Sequence, residues 1–356
     1  MTAVKRINYF DVLKALSIIF VIYLHYPWTS ASWGTNITMM ICYIAVPLFL
    51  MINGTLILNK KINIKEHYKK TIKYLLTLIV WKTLTIIVFI LFKQVQMSDY
   101  NWFQIVLSIV GDYNLPGLPT EHLWYLYALI KVYMIIPFIQ LFIDKYKDSE
   151  KYIIILLIVI IFGFELLQLI AIGANKFLSL PYYDFNPLTE TYKPITAGRS
   201  LVYFLLGYKL HKKYYNKNIS RKTKILLVIT FVLGLMFLCI ARYIQTEHFI
   251  TGDYVGIRNE YHKFGTLIMA ISVFILASTT NFKENHIISY ISKNTLNIYL
   301  IHMMICKLVT IYLAPVIGIY GAKGNIIKTI IVFAISFIMS EILKRIKPIK
   351  KILNLS

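Results

Sequence analysis

Three ionisable residues lie on one face of the first hydrophobic segment, "DVLKALSIIFVIYLH" at residues 11–25. At 100° per residue, Lys14 and His25 differ by about 20° in azimuth and about 16 Å in depth, and Asp11 lies about 60° from Lys14. An ionisable side chain at membrane depth costs about 3 kcal/mol, so this stripe is expected to face a protein-lined or watery cavity. His25 is the natural general base. The alternative is a local Asp11–Lys14 pair with His25 at the membrane interface.

Other hydrophobic segments carry further groups capable of chemistry. Tyr299 and His302 lie on adjacent turns of "NTLNIYLIH", and Glu121 and His122 open "EHLWYLYALIK". Arg199 opens "RSLVYFLLGYKL". Single buried histidines are commonly structural, but several ionisable residues on separate segments predict one shared polar cavity.

These segments are predicted to cross a membrane. The 356 residues are 58% hydrophobic and only 15% charged, and the mean hydropathy is +0.65, which indicates an integral membrane protein. Apolar runs of about 20 residues predict ten spans, at 9–28, 37–57, 74–92, 123–143, 152–172, 197–208, 225–243, 264–280, 295–316 and 326–343.

The predicted fold is therefore all-α: a polytopic membrane bundle of about ten transmembrane helices in a single domain, 1–356. No linker or shift in composition divides the chain. An eleventh apolar run, 101–110, is too short to cross and precedes the breaker-rich "GDYNLPGLP", which predicts an interfacial or re-entrant segment.

Charge distribution predicts the topology. With the N-terminus inside, 25 of the 38 Lys and Arg residues fall in inner segments and seven in outer ones, which places both termini in the cytoplasm. The net charge of +22 is then explained by basic residues at membrane edges, where anionic headgroups attract them. The bilayer is thus an expected partner, and a nucleic acid is not.

Five of these segments carry a family resemblance. "INYFDVLKALSIIFVIYLHY", "VPLFLMINGTLIL", "HLWYLYALIKVYMIIPF", "FLLGYKL" and "ISKNTLNIYLIH" follow one another from residue 7 to about residue 302. In this order and at these span positions they resemble the acyltransferase-3 family of multi-pass membrane proteins. The chain is similar to the stand-alone branch, which has no C-terminal hydrolase-like domain.

The resemblance implies an activity. Members of the family transfer acyl groups, most often acetyl, from cytoplasmic acyl-CoA to hydroxyls of extracytoplasmic glycans or lipid-linked sugars. It therefore implies an O-acyltransferase in the cell membrane, with a bacterial source expected and a cell-surface glycan or lipid-linked saccharide as acceptor. Acyl-CoA would be a co-substrate, with no tightly bound cofactor. The acyl group, the acceptor and the oligomeric state are not determined by the sequence.

Residue by residue, the resemblance assigns several positions. His25 matches the family's first-span histidine, and Lys14 stands where arginine is usual, keeping the charge but not the planar fork. Arg199 matches a basic position in the sixth span, and Tyr299 and His302 match a late tyrosine and histidine. The family's basic cluster before the third span is matched by Lys69, Lys70 and Lys73.

Acyl transfer from a thioester requires a base and donors for the tetrahedral oxyanion, and it requires no metal. We expect His25 to be the base or a transient acyl acceptor, with Glu121 or Asp11 orienting an imidazole. Tyr299 and His302 would be hydrogen-bond donors. We expect His122 and Trp124 to contribute to substrate binding. The phosphates of CoA would be held by Lys14, Lys69, Lys70, Lys73 and Arg199.

Plainer interpretations remain open. The lysine cluster also fits the topology rule, interfacial aromatic residues also fit an aromatic belt, and His122 also fits a simple helix cap. A transporter or flippase for a polysaccharide precursor or small polar substrate would use the same polar stripe without consuming a thioester. A third possibility is an inactive partner subunit of a glycan-synthesis complex, in which the lysine at position 14 marks lost activity.

Overall fold

The regular secondary structure of the described residues is entirely helical. The computed structural model describes residues 6–25, 33–111, 113–146, 148–181, 199–250, 264–318 and 321–346. The ends of two predicted spans, 26–28 and 197–198, and both chain termini lie outside these ranges. The helices are α1 (Asn8–Leu24), α2 (Trp33–Cys42), α3 (Ala45–Leu58), α4 (Ile64–Leu91), α5 (Trp102–Val110), α6 (Trp124–Lys145), α7 (Ser149–Ile158), α8 (Phe164–Leu178), α9 (Ser200–Tyr214), α10 (Arg221–Ile250), α11 (Phe264–Ser278), α12 (His286–Leu308), α13 (Ala314–Ile317) and α14 (Gly321–Leu343).

Seven helical segments in the described part of the chain are long and apolar enough to cross a membrane. They are Ile37–Leu58, Ile64–Leu91, Glu121–Lys145, Ser149–Leu178, Arg221–Ile244, His286–Val316 and Lys323–Leu343. The other three predicted spans fall on α1, α9 and α11, which have 17, 15 and 15 residues. The all-α membrane bundle is thus confirmed, whereas the count of ten spans and the orientation stay predictions. The run at 101–110 forms α5, with nine residues.

Two glycines allow a close helix crossing between α3 and α9. A Cβ atom on Gly54 would lie 1.8 Å from the carbonyl oxygen of Phe204, and one on Gly207 would lie 2.0 Å from that of Met51. Small residues at such crossings let helix backbones approach and pack tightly in a membrane. The crossing fixes α3, which carries one wall of the cavity described below.

We expect Gly54→Ala to destabilise the protein. The added methyl group meets backbone rather than a movable side chain, so the two helices must separate, at a cost of about 1–3 kcal/mol or more. Gly163→Ala is the matched control, since nothing lies within 4 Å of a Cβ there and alanine is the better helix former. Unfolding in detergent should show a loss for Gly54→Ala alone; equal stability of the two variants would contradict this crossing.

A proline in α6 is compensated by a histidine from α4. Pro137 has no N–H to donate to the carbonyl of Tyr133, four residues earlier. The Nε2 atom of His67 lies 2.7 Å from that carbonyl oxygen, and it must be the donor because a carbonyl only accepts. The contact joins α4 to α6 without using a catalytic group.

Helix α1 lies among other helices rather than at the edge of the bundle. It packs mainly against α12 and α3, with further contacts to α14 and α2. Eleven of its residues are buried, including Leu13, Ile18 and Ile22. This position explains how α1 can carry Asp11, Lys14 and His25 without exposing them to lipid.

Candidate active site

Three histidines from three separate elements meet in the bundle. His25 caps the C-terminus of α1, His122 lies in a 3₁₀ turn before α6, and His302 lies within α12. The ring centroids are 5.1 Å apart for His25 and His302, 5.0 Å for His122 and His302, and 6.3 Å for His25 and His122. We call these three residues the histidine cluster. It contains three of the sequence-predicted site residues.

The tautomer of His302 follows from its hydrogen bond. Its Nδ1 lies 2.5 Å from the carbonyl oxygen of Tyr299, and a carbonyl only accepts, so Nδ1 carries the proton in neutral imidazole. Nε2 is then the basic nitrogen. It is buried and has no hydrogen-bond partner among the described residues, so its lone pair is available to a substrate proton.

Tyr299 positions His122 rather than acting as a free donor. Its hydroxyl donates to the backbone carbonyl of His122. Its ring centroid lies 5.3 Å from that of His122 and 5.7 Å from that of His302. One tyrosine thus joins the turn before α6 to α12.

The chain segment leading to His122 is also anchored. Lys82 of α4 is fully buried, and its Nζ donates to the carbonyl of Gly111 at 2.9 Å. The hydroxyl of Tyr127 donates to the same carbonyl. Further along, Thr120 donates to the side chain of Asn114 at 3.0 Å. These contacts hold the loop so that His122 keeps its position.

A cavity of about 680 Å³ reaches Tyr299 of this site. At one end it is lined by basic residues, which we call the basic end: Arg6, Lys14, Lys60, Lys70 and Lys293. Lys60, Lys70 and Lys293 are exposed, so this end reaches the protein surface. The other end, which we call the deep end, is lined by buried residues that include Val21, Tyr125, Leu129 and Tyr299.

Asp11 lies at the basic end and is fully engaged there. It accepts hydrogen bonds from Arg6 at 2.5 and 2.9 Å, from Ser292 at 2.6 Å and from Ser289 at 3.1 Å. Arg6 also donates to the carbonyl of Ser289 at 2.8 Å, and its bond to Asp11 raises the pKa of the guanidinium. This network joins α1 to α12, and the structure shows Asp11 bonded there rather than to a histidine.

The three histidines do not themselves line the cavity, which meets the histidine cluster at Tyr299. Four other sequence-predicted residues lie outside both the cavity lining and the histidine cluster. Glu121 is exposed, and Lys69 and Lys73 are exposed on α4; Lys69 lies 3.9 Å from Glu66. Trp124 is half-buried, with its ring 6.4 Å from that of Tyr125. The roles predicted for these four residues from the sequence stay predictions, and their positions outside the cavity lining give those roles no support.

Arg199 lies in a buried ion pair away from the cavity lining. Its guanidinium pairs with Glu165 of α8, and the side chains are 5% and 9% exposed. The family-based role of Arg199 as a phosphate contact stays a prediction. The ion pair with Glu165 gives a structural reason for a buried arginine at position 199.

Sequence reasoning missed Arg6, Asn53 and Tyr125, all of which line the cavity. In the sequence, Arg6 is one of the basic residues before the first predicted span, a position that by itself indicates only topology. Its spacing of five residues from Asp11 was the available clue. Asn53 and Tyr125 were visible as polar residues inside apolar spans, but no spacing rule relates α3 to α6.

The described residues contain no group of His, Cys, Asp and Glu suited to a metal ion. The expectation of metal-free chemistry therefore stays a prediction. The arrangement offers a cavity that joins a basic end to a buried aromatic end, and an oriented basic nitrogen on His302, whose ring lies beside that of the cavity-lining Tyr299. Such a site can bind an elongated anionic molecule and remove a proton at its far end.

Together the fold and the site define a multi-pass helical membrane protein with a buried histidine cluster. The sequence profile of the acyltransferase-3 family, described as an acyltransferase domain, matches residues 7–345. The chain belongs to this family and is an acyltransferase. Comparison with curated proteins and with solved structures gave no match.

Proposed function

We propose that the protein transfers an acyl group, most simply acetyl, from cytoplasmic acyl-CoA to a hydroxyl of a cell-surface glycan or lipid-linked sugar. The observation that supports this most directly is the single cavity that joins the basic end to Tyr299 beside the histidine cluster. CoA is elongated, with phosphates at one end and the thioester at the other. Its two ends match the two ends of the cavity.

The basic end would bind the phosphates of CoA. Lys14 of α1, Lys70 of α4 and Arg6, which precedes α1, line the same end, and cations form strong charge-assisted bonds to phosphate. By the positive-inside rule this end faces the cytoplasm, where acyl-CoA is available. The deep end then lies toward the outer side, where a glycan hydroxyl arrives.

The chemistry requires the acceptor hydroxyl to lose its proton as its oxygen attacks the thioester carbonyl. Nε2 of His302 takes that proton, since its tautomer leaves the lone pair free. The C–S bond breaks, and the thiolate of CoA recovers the proton from the imidazolium. His25 and His122 pack against the ring of His302 and limit where the acceptor oxygen can sit.

Membrane vesicles containing the protein should transfer label from acetyl-labelled CoA to native glycan, and His25→Ala should lower that transfer. Release of the CoA thiol should accompany it. A transporter or flippase would move substrate without consuming the thioester, so absence of both label and thiol release in folded protein would overturn the proposal. An inactive partner subunit would behave in the same way, and Lys14→Arg would then restore nothing.

Lys70→Glu should raise the KM for acetyl-CoA at least five-fold, because Lys70 lines the cavity and a negative charge there repels phosphate. A loss of about 1.4 kcal/mol in binding free energy corresponds to a ten-fold loss in affinity. Lys69→Glu is the matched control: it makes the same charge change one residue away, outside the cavity lining. The KM of each variant is obtained from the rate of thiol release at a series of acetyl-CoA concentrations. Equal KM values for the two variants would contradict the placement of the phosphates.

A further inference from the structure

The deep end of the cavity contains a polar pair from α3 and α6. Asn53 and Tyr125 both line it. The amide of Asn53 donates to the carbonyl of Phe49 at 2.9 Å and to the hydroxyl oxygen of Tyr125 at 3.2 Å. Tyr125 is therefore the acceptor in its bond with Asn53, and its own O–H stays available to another acceptor.

The other hydroxyl groups on the cavity wall are already engaged. Thr55 donates to the carbonyl of Met51, Thr295 to that of Ser292, Tyr299 to that of His122, Ser292 to Asp11, and Tyr74 bonds to the hydroxyl of Tyr133. Among the described residues, no acceptor is bonded to the hydroxyl proton of Tyr125. This leaves the Tyr125 hydroxyl, beside Tyr299, able to donate to a bound ligand.

Tyr125 lies close to the histidine cluster. It is buried, and its ring centroid is 5.5 Å from that of Tyr299, whose ring contacts both His122 and His302. A thioester bound at the deep end beside Tyr299 would thus lie near both the Tyr125 hydroxyl and the histidine cluster. A donor fixed in advance in a dry site stabilises developing charge strongly.

We infer that the Tyr125 hydroxyl, oriented by Asn53, donates a hydrogen bond to the thioester carbonyl oxygen and stabilises the tetrahedral oxyanion. The inference rests on the proposed acyl transfer. As the acceptor oxygen attacks, the carbonyl π electrons move onto this oxygen, and they return when the C–S bond breaks. Tyr125 keeps its proton throughout, and the proton of the acceptor passes through His302. Asn53 is a positioning residue.

The test compares Tyr125→Phe with Tyr133→Phe. Each removes one buried hydroxyl near Asn53, but Tyr133 lies outside the cavity lining and reaches the Asn53 oxygen only at 3.4 Å. We expect Tyr125→Phe to lower kcat about 100-fold, as loss of an oxyanion donor does, with KM for acetyl-CoA within about two-fold of the unmodified protein. Tyr133→Phe should keep kcat within about three-fold.

Asn53→Ala supplies a second variant. It keeps the Tyr125 hydroxyl but removes the amide that orients it. We therefore expect about a ten-fold loss in kcat, with the KM for acetyl-CoA unchanged. Full kcat in Tyr125→Phe, or equal losses in the two tyrosine variants, would overturn the inference while leaving the proposed function standing. Absence of thiol release from unmodified, folded protein would instead overturn the proposed function.

Discussion

His302→Gln is expected to lower kcat for acyl transfer by about 10²- to 10⁴-fold, the usual contribution of a positioned general base. Glutamine keeps a polar side chain of similar reach but has no basic nitrogen at this position. The reason lies in the geometry: the bond from Nδ1 to the carbonyl of Tyr299 leaves Nε2 basic, buried and without a hydrogen-bond partner among the described residues. Steady-state thiol release from acetyl-CoA measures the loss.

His67→Gln is the matched control for this prediction. His67 is also a buried histidine bonded to a backbone carbonyl, that of Tyr133, but it lies on α4, outside the histidine cluster. We expect this variant to keep kcat within a few-fold. If His302→Gln retains kcat while His25→Ala loses it, the base is His25, as the sequence predicts, and the assignment to His302 is wrong.

Glu165→Ala is expected to have the largest effect on stability. It leaves the guanidinium of Arg199 buried and 5% exposed without its partner, and breaking a buried ion pair costs about 3–5 kcal/mol. Unfolding of the purified protein in detergent measures the loss.

The double variant Glu165→Leu, Arg199→Leu should recover most of that stability, because an apolar pair of similar volume is often as stable as a buried ion pair. Equal stability of Glu165→Ala and the unmodified protein would contradict the buried pair. The double variant also tests the family-based role of Arg199. An unchanged KM for acetyl-CoA would show that Arg199 does not bind the phosphates.

The sequence by itself determined the class of fold. Long apolar runs need no tertiary information, since in lipid each helix satisfies its own backbone hydrogen bonds. The motif order likewise identified the family, which the match over residues 7–345 confirms. The number of spans was harder to determine because α1, α9 and α11 are shorter than a bilayer-spanning helix usually is. The azimuths of Asp11 and Lys14 predicted that this face of α1 meets a cavity, and both residues line one, whereas His25 lies outside its lining.

Only the tertiary structure decided which of the candidate residues act together. His25, His122 and His302 meet because α1, the turn before α6, and α12 pack against one another. Asp11 bonds to Arg6 rather than to a histidine, and Lys70 lines the cavity while Lys69 does not. Helical periodicity relates residues on one helix, but rotation and register between helices depend on close contacts such as Gly54 against Phe204. Those contacts join residues far apart in the chain, so no local pattern specifies them.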